Sequence, residues 1–150
     1  MFYITYRLSP EGLRFDAAWF NKDANRLTEA LFLRLYPAQG ELRLRKVSDW
    51  IDPAQVAPAG GRNLHAVWEA RLDTGEGGYR LVNFHAPLIS VGRGKILEFD
   101  NRLEDMARDG LAYVLYDNVW GTNFPLWYEE NARFCFAITA DGPQGKEREA

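Results

Sequence analysis

The chain has a single cysteine, Cys135, and only two histidines, His65 and His85, in 150 residues. One thiol excludes an intrachain disulfide and any cysteine-based zinc cluster. Cys135 lies in the alternating run Arg133-Phe134-Cys135-Phe136-Ala137-Ile138, with no base nearby in sequence. That is the setting of a buried or half-buried structural thiol rather than a nucleophile. Serine is scarce too: Ser9, Ser48 and Ser90 are the only ones, and none sits in a nucleophile elbow. Together these absences argue against a serine or cysteine hydrolase. Gly60-Gly61 and Gly75 to Gly78 lack the strand–loop–helix setting that cradles a phosphate.

No run of basic residues occurs, and the net charge is −3, from 18 basic and 21 acidic side chains. The sign is wrong for a dedicated nucleic-acid binder. Arg43, Arg45 and Lys46 alternate with Leu42 and Leu44, which reads as the solvated face of a strand. The segment from Met1 to Arg7 has neither a basic leader nor a long apolar core, and no apolar run is long enough to span a membrane as a helix. No membrane partner is expected, and a cytoplasmic location is the default.

What is present is an ordinary globular composition, 47% apolar and 26% charged, with no internal repeat. The length suffices for one domain with a real core and is short for two. A single domain is expected over 1–140. The polar, Gly- and Pro-bearing stretch 141–150 is expected to be a disordered tail.

The dominant hydrophobic period is two. Phe2, Ile4 and Tyr6 share one face over 1–8, and Leu13, Phe15, Ala17 and Trp19 share one over 13–20. Ser9-Pro10-Glu11-Gly12 supplies the turn between them. Residues 28–36 suit helix or strand by pattern and are assigned to strand from their neighbours. Residues 41–47 alternate cleanly. The best hairpin pairs 63–72 with 79–86 across Asp73 to Gly78. Short strands are expected at 88–91 and 95–99, a turn of helix within 101–109, and strands at 111–117 and 132–139. Strands at this spacing, without a long helix, predict an all-β, mainly antiparallel β-sandwich.

Chemistry-bearing residues concentrate between Tyr116 and Phe136, which hold seven of the chain's 21 aromatics, against about three expected from composition. Within this block Trp120, Phe124 and Trp127 offer flat apolar faces, and Asn118 and Asn123 offer fixed amides. Rings beside amides suit a sugar, which has C–H faces and hydroxyl edges. The same composition suits a well-packed loop. The two histidines share a face if 65 pairs with 85, and oppose each other if the register slips by one. A divalent metal site needs a third ligand, and none is spaced recognisably, so hydrogen-bonded histidines are expected. Acid–base glycosidase chemistry needs two carboxylates at a set separation. Asp16, Asp23, Asp49, Asp52, Asp100 and Asp117 all read as turn, cap or surface groups, with Asp117 notable for abutting the aromatic block.

Five segments carry a family resemblance. They are the run from Trp19 through Asn21-Lys22-Asp23-Ala24-Asn25-Arg26 to Leu31; Trp50-Ile51-Asp52-Pro53; Gly61-Arg62-Asn63-Leu64-His65-Ala66-Val67; His85-Ala86-Pro87-Leu88; and the block Asn118 to Trp127. In this order the chain, from about Gly12 to Ile138, resembles the C-terminal region of a bacterial glycoside hydrolase family that is similar to the family 38 α-mannosidases. The resemblance implies a large β-sandwich of the galactose-mutarotase-like supersandwich type, following a catalytic barrel. It implies that the nucleophilic acid and the zinc ligands reside on that barrel, which is not encoded here, so no catalytic residue, metal or cofactor is expected on this chain. Trp120, Asn123, Phe124 and Trp127 would form one wall of a sugar pocket, and Asn118 would fix the loop or donate to a sugar hydroxyl. Lys22, Asn25 and Arg26 would form a second polar loop at the same end. Two departures concern a polar site: His85 stands where an acid is expected, and Asp117 where Asn commonly precedes Asn118. If 85 and 117 are neighbours, with His65 nearby, the exchange reads as compensation; the equal alternative is a polar site that has decayed.

The expected role is a non-catalytic module packed on a catalytic barrel and contributing to a weak carbohydrate site. A stand-alone carbohydrate-binding module and a structural or oligomerising domain are the alternatives. The first alternative needs exposed rings among Trp19, Trp68, Trp120 and Trp127; the second needs exposed apolar surface and a homo-oligomer.

Overall fold

The computed structural model describes residues 1–37, 39–55, 64–94, 106–119 and 129–141. Eleven strands run in chain order: β1 (Phe2–Ser9), β2 (Gly12–Trp19), β3 (Ala30–Leu35), β4 (Glu41–Lys46), β5 (Asp49–Ile51), β6 (Leu64–Ala66), β7 (Glu69–Asp73), β8 (Gly78–Asn83), β9 (Leu88–Val91), β10 (Leu111–Asp117) and β11 (Ala132–Asp141). A 3-10 turn at Pro53–Gln55 and one short helix, α1 (Met106–Asp109), complete the described elements. All pairings are antiparallel. The strands form a seven-stranded sheet, β1-β2-β11-β8-β7-β4-β5, and a four-stranded sheet, β3-β10-β9-β6. The fold is the β-sandwich that the period-two pattern predicts.

Alternation decides which side chains meet between the sheets. Phe15, Ala17 and Trp19 of β2 and Leu42 and Leu44 of β4 point inward, while Arg14, Asp16, Arg43 and Arg45 face out. Ile89, Val91, Leu111 and Tyr113 meet them from the small sheet. The Tyr113 and Phe136 rings cross the interface edge to face at 5.2 Å. Leu44, Leu72, Ile89 and Leu111 are fully buried, each contributing about 1.5–3 kcal/mol of transfer free energy.

The hairpin expected over 63–72 and 79–86 is shorter and changes sheet. β7 pairs with β8 from Glu69↔Val82 to Asp73↔Gly78. Thr74 to Gly77 close it, with Gly75 at φ 82°, a left-handed conformation suited to glycine. Beyond this ladder both arms cross to the small sheet, where β6 pairs with β9. The crossing is held by Val67 N–H donating to Pro87 O at 2.8 Å and Trp68 N–H donating to Arg45 O at 3.0 Å. His65 therefore lies opposite Ile89, and neither register considered for a 65–85 pair applies.

β11 continues through Asp141, one residue into the stretch expected to be tail, because the Asp141 carboxylate pairs with Arg71 at 3.3 Å and Arg80 at 3.0 Å. The strand expected at 95–99, the first part of the 101–109 turn, and 142–150 lie outside the described residues.

Candidate functional site

Where β2 leaves the large sheet and β3 enters the small one, a cavity of about 280 Å³ opens between the sheets. Phe2, Trp19, Phe20 and Leu31 form its apolar wall; Lys22, Glu29 and Tyr116 form its polar one. Trp19 is only 6% exposed. Its ring stacks on Phe2 at 6.4 Å and meets Tyr116 edge-on. Its indole N–H donates to Glu130 O at 3.0 Å. Phe2 and Phe20 present the exposed aromatic surface.

Lys22 Nζ lies 2.5 Å from Glu29 Oε1 and 4.9 Å from the centroid of the Tyr116 ring. Asn25 Nδ2 donates to the other Glu29 oxygen at 3.1 Å, and Asn25 Oδ1 accepts from Leu27 N–H, closing an Asx turn. The bond to Glu29 raises the Lys22 pKa above its ordinary value. The bonds from Lys22 and then Asn25 lower the Glu29 pKa, although burial works against them. Burial raises the Tyr116 hydroxyl, with the Lys22 charge pulling the other way. Both charges of the pair are thus held ionised around neutral pH.

Asn118 is the buried fastener of this end. Its Oδ1 accepts from Glu29 N–H at 2.5 Å, its Nδ2 donates to Leu27 O at 3.1 Å, and its own N–H donates to Glu29 O at 3.0 Å. On the other flank of the aromatic block, Asn131 Oδ1 accepts from Asn21 N–H at 2.8 Å. Asn118 and Glu130–Asn131, which bracket the block, are therefore both tied to the 19–29 loop that shapes the cavity.

The structure brings together Lys22, Asn25 and Asn118 of the expected site. Arg26 is exposed and does not line the cavity. Trp120, Asn123, Phe124 and Trp127 lie outside the described residues. Of the rings considered for a flat binding platform, Trp19 is buried. Trp68 is 67% exposed and borders a separate shallow depression with Val47 and Phe84 on the outer side of the large sheet.

The residues expected to form a second polar site are dispersed. His65 is fully buried in the small sheet. His85 lies beyond β8, where its Nδ1 accepts the Cys135 N–H at 3.1 Å. Asp117 Oδ1 accepts from Val119 N–H at 2.6 Å, as a turn residue. With separate partners, His85 and Asp117 do not form the compensating pair expected of neighbours. Among the described residues no group of three His, Cys, Asp or Glu is placed to hold a metal ion.

Sequence reasoning missed Glu29 and Tyr116. Glu29 stands inside the run from Trp19 to Leu31, seven residues after Lys22, a spacing with no fixed meaning in a loop. Tyr116 opens the aromatic block, but simple alternation after Tyr113 turns it outward. A bulge between Val114 and Tyr116 in the β10–β3 pairing reverses that. Tyr113 lies opposite Leu33 and Tyr116 opposite Leu31, so both tyrosines share the inner face.

Among the described residues no helix is long and apolar enough to cross a membrane. Compared with protein-family models, with curated proteins and with solved structures, the chain matches none.

Proposed function

We propose that this chain is a non-catalytic β-sandwich module that holds a single sugar ring in the cavity between Phe2, Phe20 and the Lys22–Glu29 pair. The observation that carries the reading is the ion pair in an aromatic-walled cavity. A sugar's C–H face meets the rings, while its hydroxyls meet a fixed donor and a fixed acceptor. The volume, about 280 Å³, lies just below the roughly 300–1,000 Å³ of drug-sized sites, which favours one ring over a chain of sugars. The module's place would be that of the C-terminal part of an α-mannosidase-like glycoside hydrolase, packed on a barrel that brings its own zinc. The sequence resemblance supports that parentage.

Glu29 argues for binding rather than bond cleavage. A glycosidase acid needs a raised pKa and a second carboxylate at a set distance. Glu29 is instead lowered by Lys22, and it is the single carboxylate among the described residues lining the cavity. Stacking and a few exchanged hydrogen bonds yield about 4 kcal/mol, a millimolar dissociation constant.

Titration of the purified chain with methyl α-mannoside, glucoside and galactoside, followed by amide chemical shifts, tests the reading. Saturable millimolar shifts confined to 19–29 and 116–118, abolished in Glu29→Gln and Lys22→Met, are expected. Shifts spread evenly over the protein, or unchanged in both variants, would remove the support. Turnover of a nitrophenyl α-mannoside by the chain alone, with or without zinc, would contradict the non-catalytic assignment.

A further inference from the structure

The four sheet edges are unequal. β5 and β6 are three residues each, and β3 is six. β1 is eight residues long, and its sequence, FYITYRLS, contains no proline, no lysine and no acid. Those are the devices by which proteins ordinarily protect an edge.

Hydrogen bonding fixes which groups the edge presents. Met1 and Phe20 exchange both bonds: Phe20 N–H donates to Met1 O at 3.0 Å, and the Met1 ammonium donates to Phe20 O at 2.9 Å. Such pairs alternate along an antiparallel ladder, and the register runs from Phe2↔Trp19 to Ser9↔Gly12. The odd residues of β1 therefore face β2. Phe2, Ile4, Tyr6 and Leu8 direct their N–H and C=O groups to the open edge. Their side chains line up on the inner face with Trp19, Ala17, Phe15 and Leu13; Phe2 walls the cavity at the end of the small sheet, and Ile4, Tyr6 and Leu8 lie outside it. Tyr6 is 75% and Leu8 79% exposed.

We propose that β1 pairs antiparallel with β1 of a second copy of this chain, about a two-fold axis at Thr5. The ladder requires even residues opposite even residues, and this centre satisfies it. Phe2 then meets Leu8 of the second copy and Ile4 meets its Tyr6, so every member of the apolar row gains an apolar neighbour. On the outer face Arg7, the only charge in the strand, lies opposite Tyr3 of the second copy, cation against ring. Centring on Ile4 strands Leu8, centring on Tyr6 strands Phe2, and centring on Arg7 opposes two guanidinium groups. Self-complementarity of this kind selects a copy of the chain over a foreign strand. The two seven-stranded sheets become one continuous sheet. An edge pairing of this length falls below about 1,200 Å², the low end of specific interfaces, so the dimer is reversible.

Sedimentation velocity of the full chain from about 5 μM to about 1 mM tests the proposal. The mass rises towards that of a dimer with concentration. Ile4→Pro removes a donor on the open edge without removing a β1–β2 bond, and it abolishes the rise while the circular dichroism and melting temperature hold. Should Ile4→Pro unfold, Tyr6→Lys places a charge in the same row and leaves the backbone intact. Thr5→Cys forms a disulfide-linked dimer on mild oxidation, at least about tenfold faster than Arg7→Cys, because only residue 5 meets its own copy across the axis. A monomer throughout the range, a dimer indifferent to the folded edge variant, or equal cross-linking at 5 and 7 overturns it.

Discussion

Cys135 and Asp16 face each other across the β11–β2 ladder, and the thiol donates to the Asp16 carboxylate on the outer side of the large sheet. Arg133, at 3.0 Å, completes the cluster. Burial, followed by the bond to Asp16, raises the thiol pKa. The bond from Cys135, aided by Arg133, lowers the Asp16 pKa. Both shifts favour the same protonation state, thiol and carboxylate. The alternating run with no base beside it in sequence thus places a buried thiol whose pKa is raised.

Alkylation of native Cys135 at pH 8 is expected to run at least about tenfold slower than in the urea-unfolded chain, because both access and thiolate fraction are reduced. In Asp16→Asn the pH–rate profile moves to lower pH, since a charge that opposes thiolate formation is gone. The depressed Asp16 pKa also fixes a sign. Its contribution to stability is present above the ordinary carboxylate pKa and is lost as pH falls through the folded value. Urea midpoints between pH 6 and pH 2 should fall less steeply in Asp16→Asn than in the parent chain. An unshifted alkylation profile would show that the bond does not govern the thiol.

Asn118 is expected to be the most sensitive polar position at the cavity. Asn118→Ala leaves the Glu29 N–H and the Leu27 carbonyl without their partner, a loss of roughly 1–3 kcal/mol. The midpoint of urea unfolding reads it directly. The same change releases the loop that holds Glu29 against Lys22, so the sugar-induced shifts should vanish even where the protein remains folded. An unfolding free energy within about 0.3 kcal/mol of the parent, from midpoint and slope together, would mean that the 27–29 loop is held by other contacts.

The strands and their inward faces were legible in the sequence wherever alternation is undisturbed. Leu42 and Leu44 against Arg43 and Arg45 identify both the strand and its buried side, and the same holds for Phe15 and Ala17 in β2. What could not be read is where alternation is broken by backbone geometry. The passage from one sheet to the other at Val67–Trp68 leaves no mark, because His65 and Ala70 fit a continuous strand equally well. The bulge that turns Tyr116 inward depends on a pairing offset with β3, a long-range property. The inner face of β1 reads as core by period, yet it is exposed, because period two reports which side chains share a face and not whether a second layer reaches them. At the cavity, Lys22, Asn25 and Asn118 were visible as polar residues in aromatic company. Their convergence on Glu29 was not, since it is made by a loop whose shape rests on hydrogen bonds to a strand 89 residues away.

Tyr113 offers a test of the core itself. It is fully buried, and its hydroxyl has no hydrogen-bond partner among the described residues. Burial alone raises its pKa far above the ordinary phenol value, so the group is neutral around neutral pH. A buried hydroxyl that gives up water without gaining a partner is a net cost. Tyr113→Phe keeps the ring that meets Phe136 at 5.2 Å and removes only that hydroxyl. The variant is expected to match or exceed the parent in stability, by up to about 1 kcal/mol. Thermal and urea unfolding both measure the difference. A loss of more than about 1 kcal/mol would require a partner for the hydroxyl from residues outside those described, since deleting an unsatisfied group cannot itself destabilise the fold by that much.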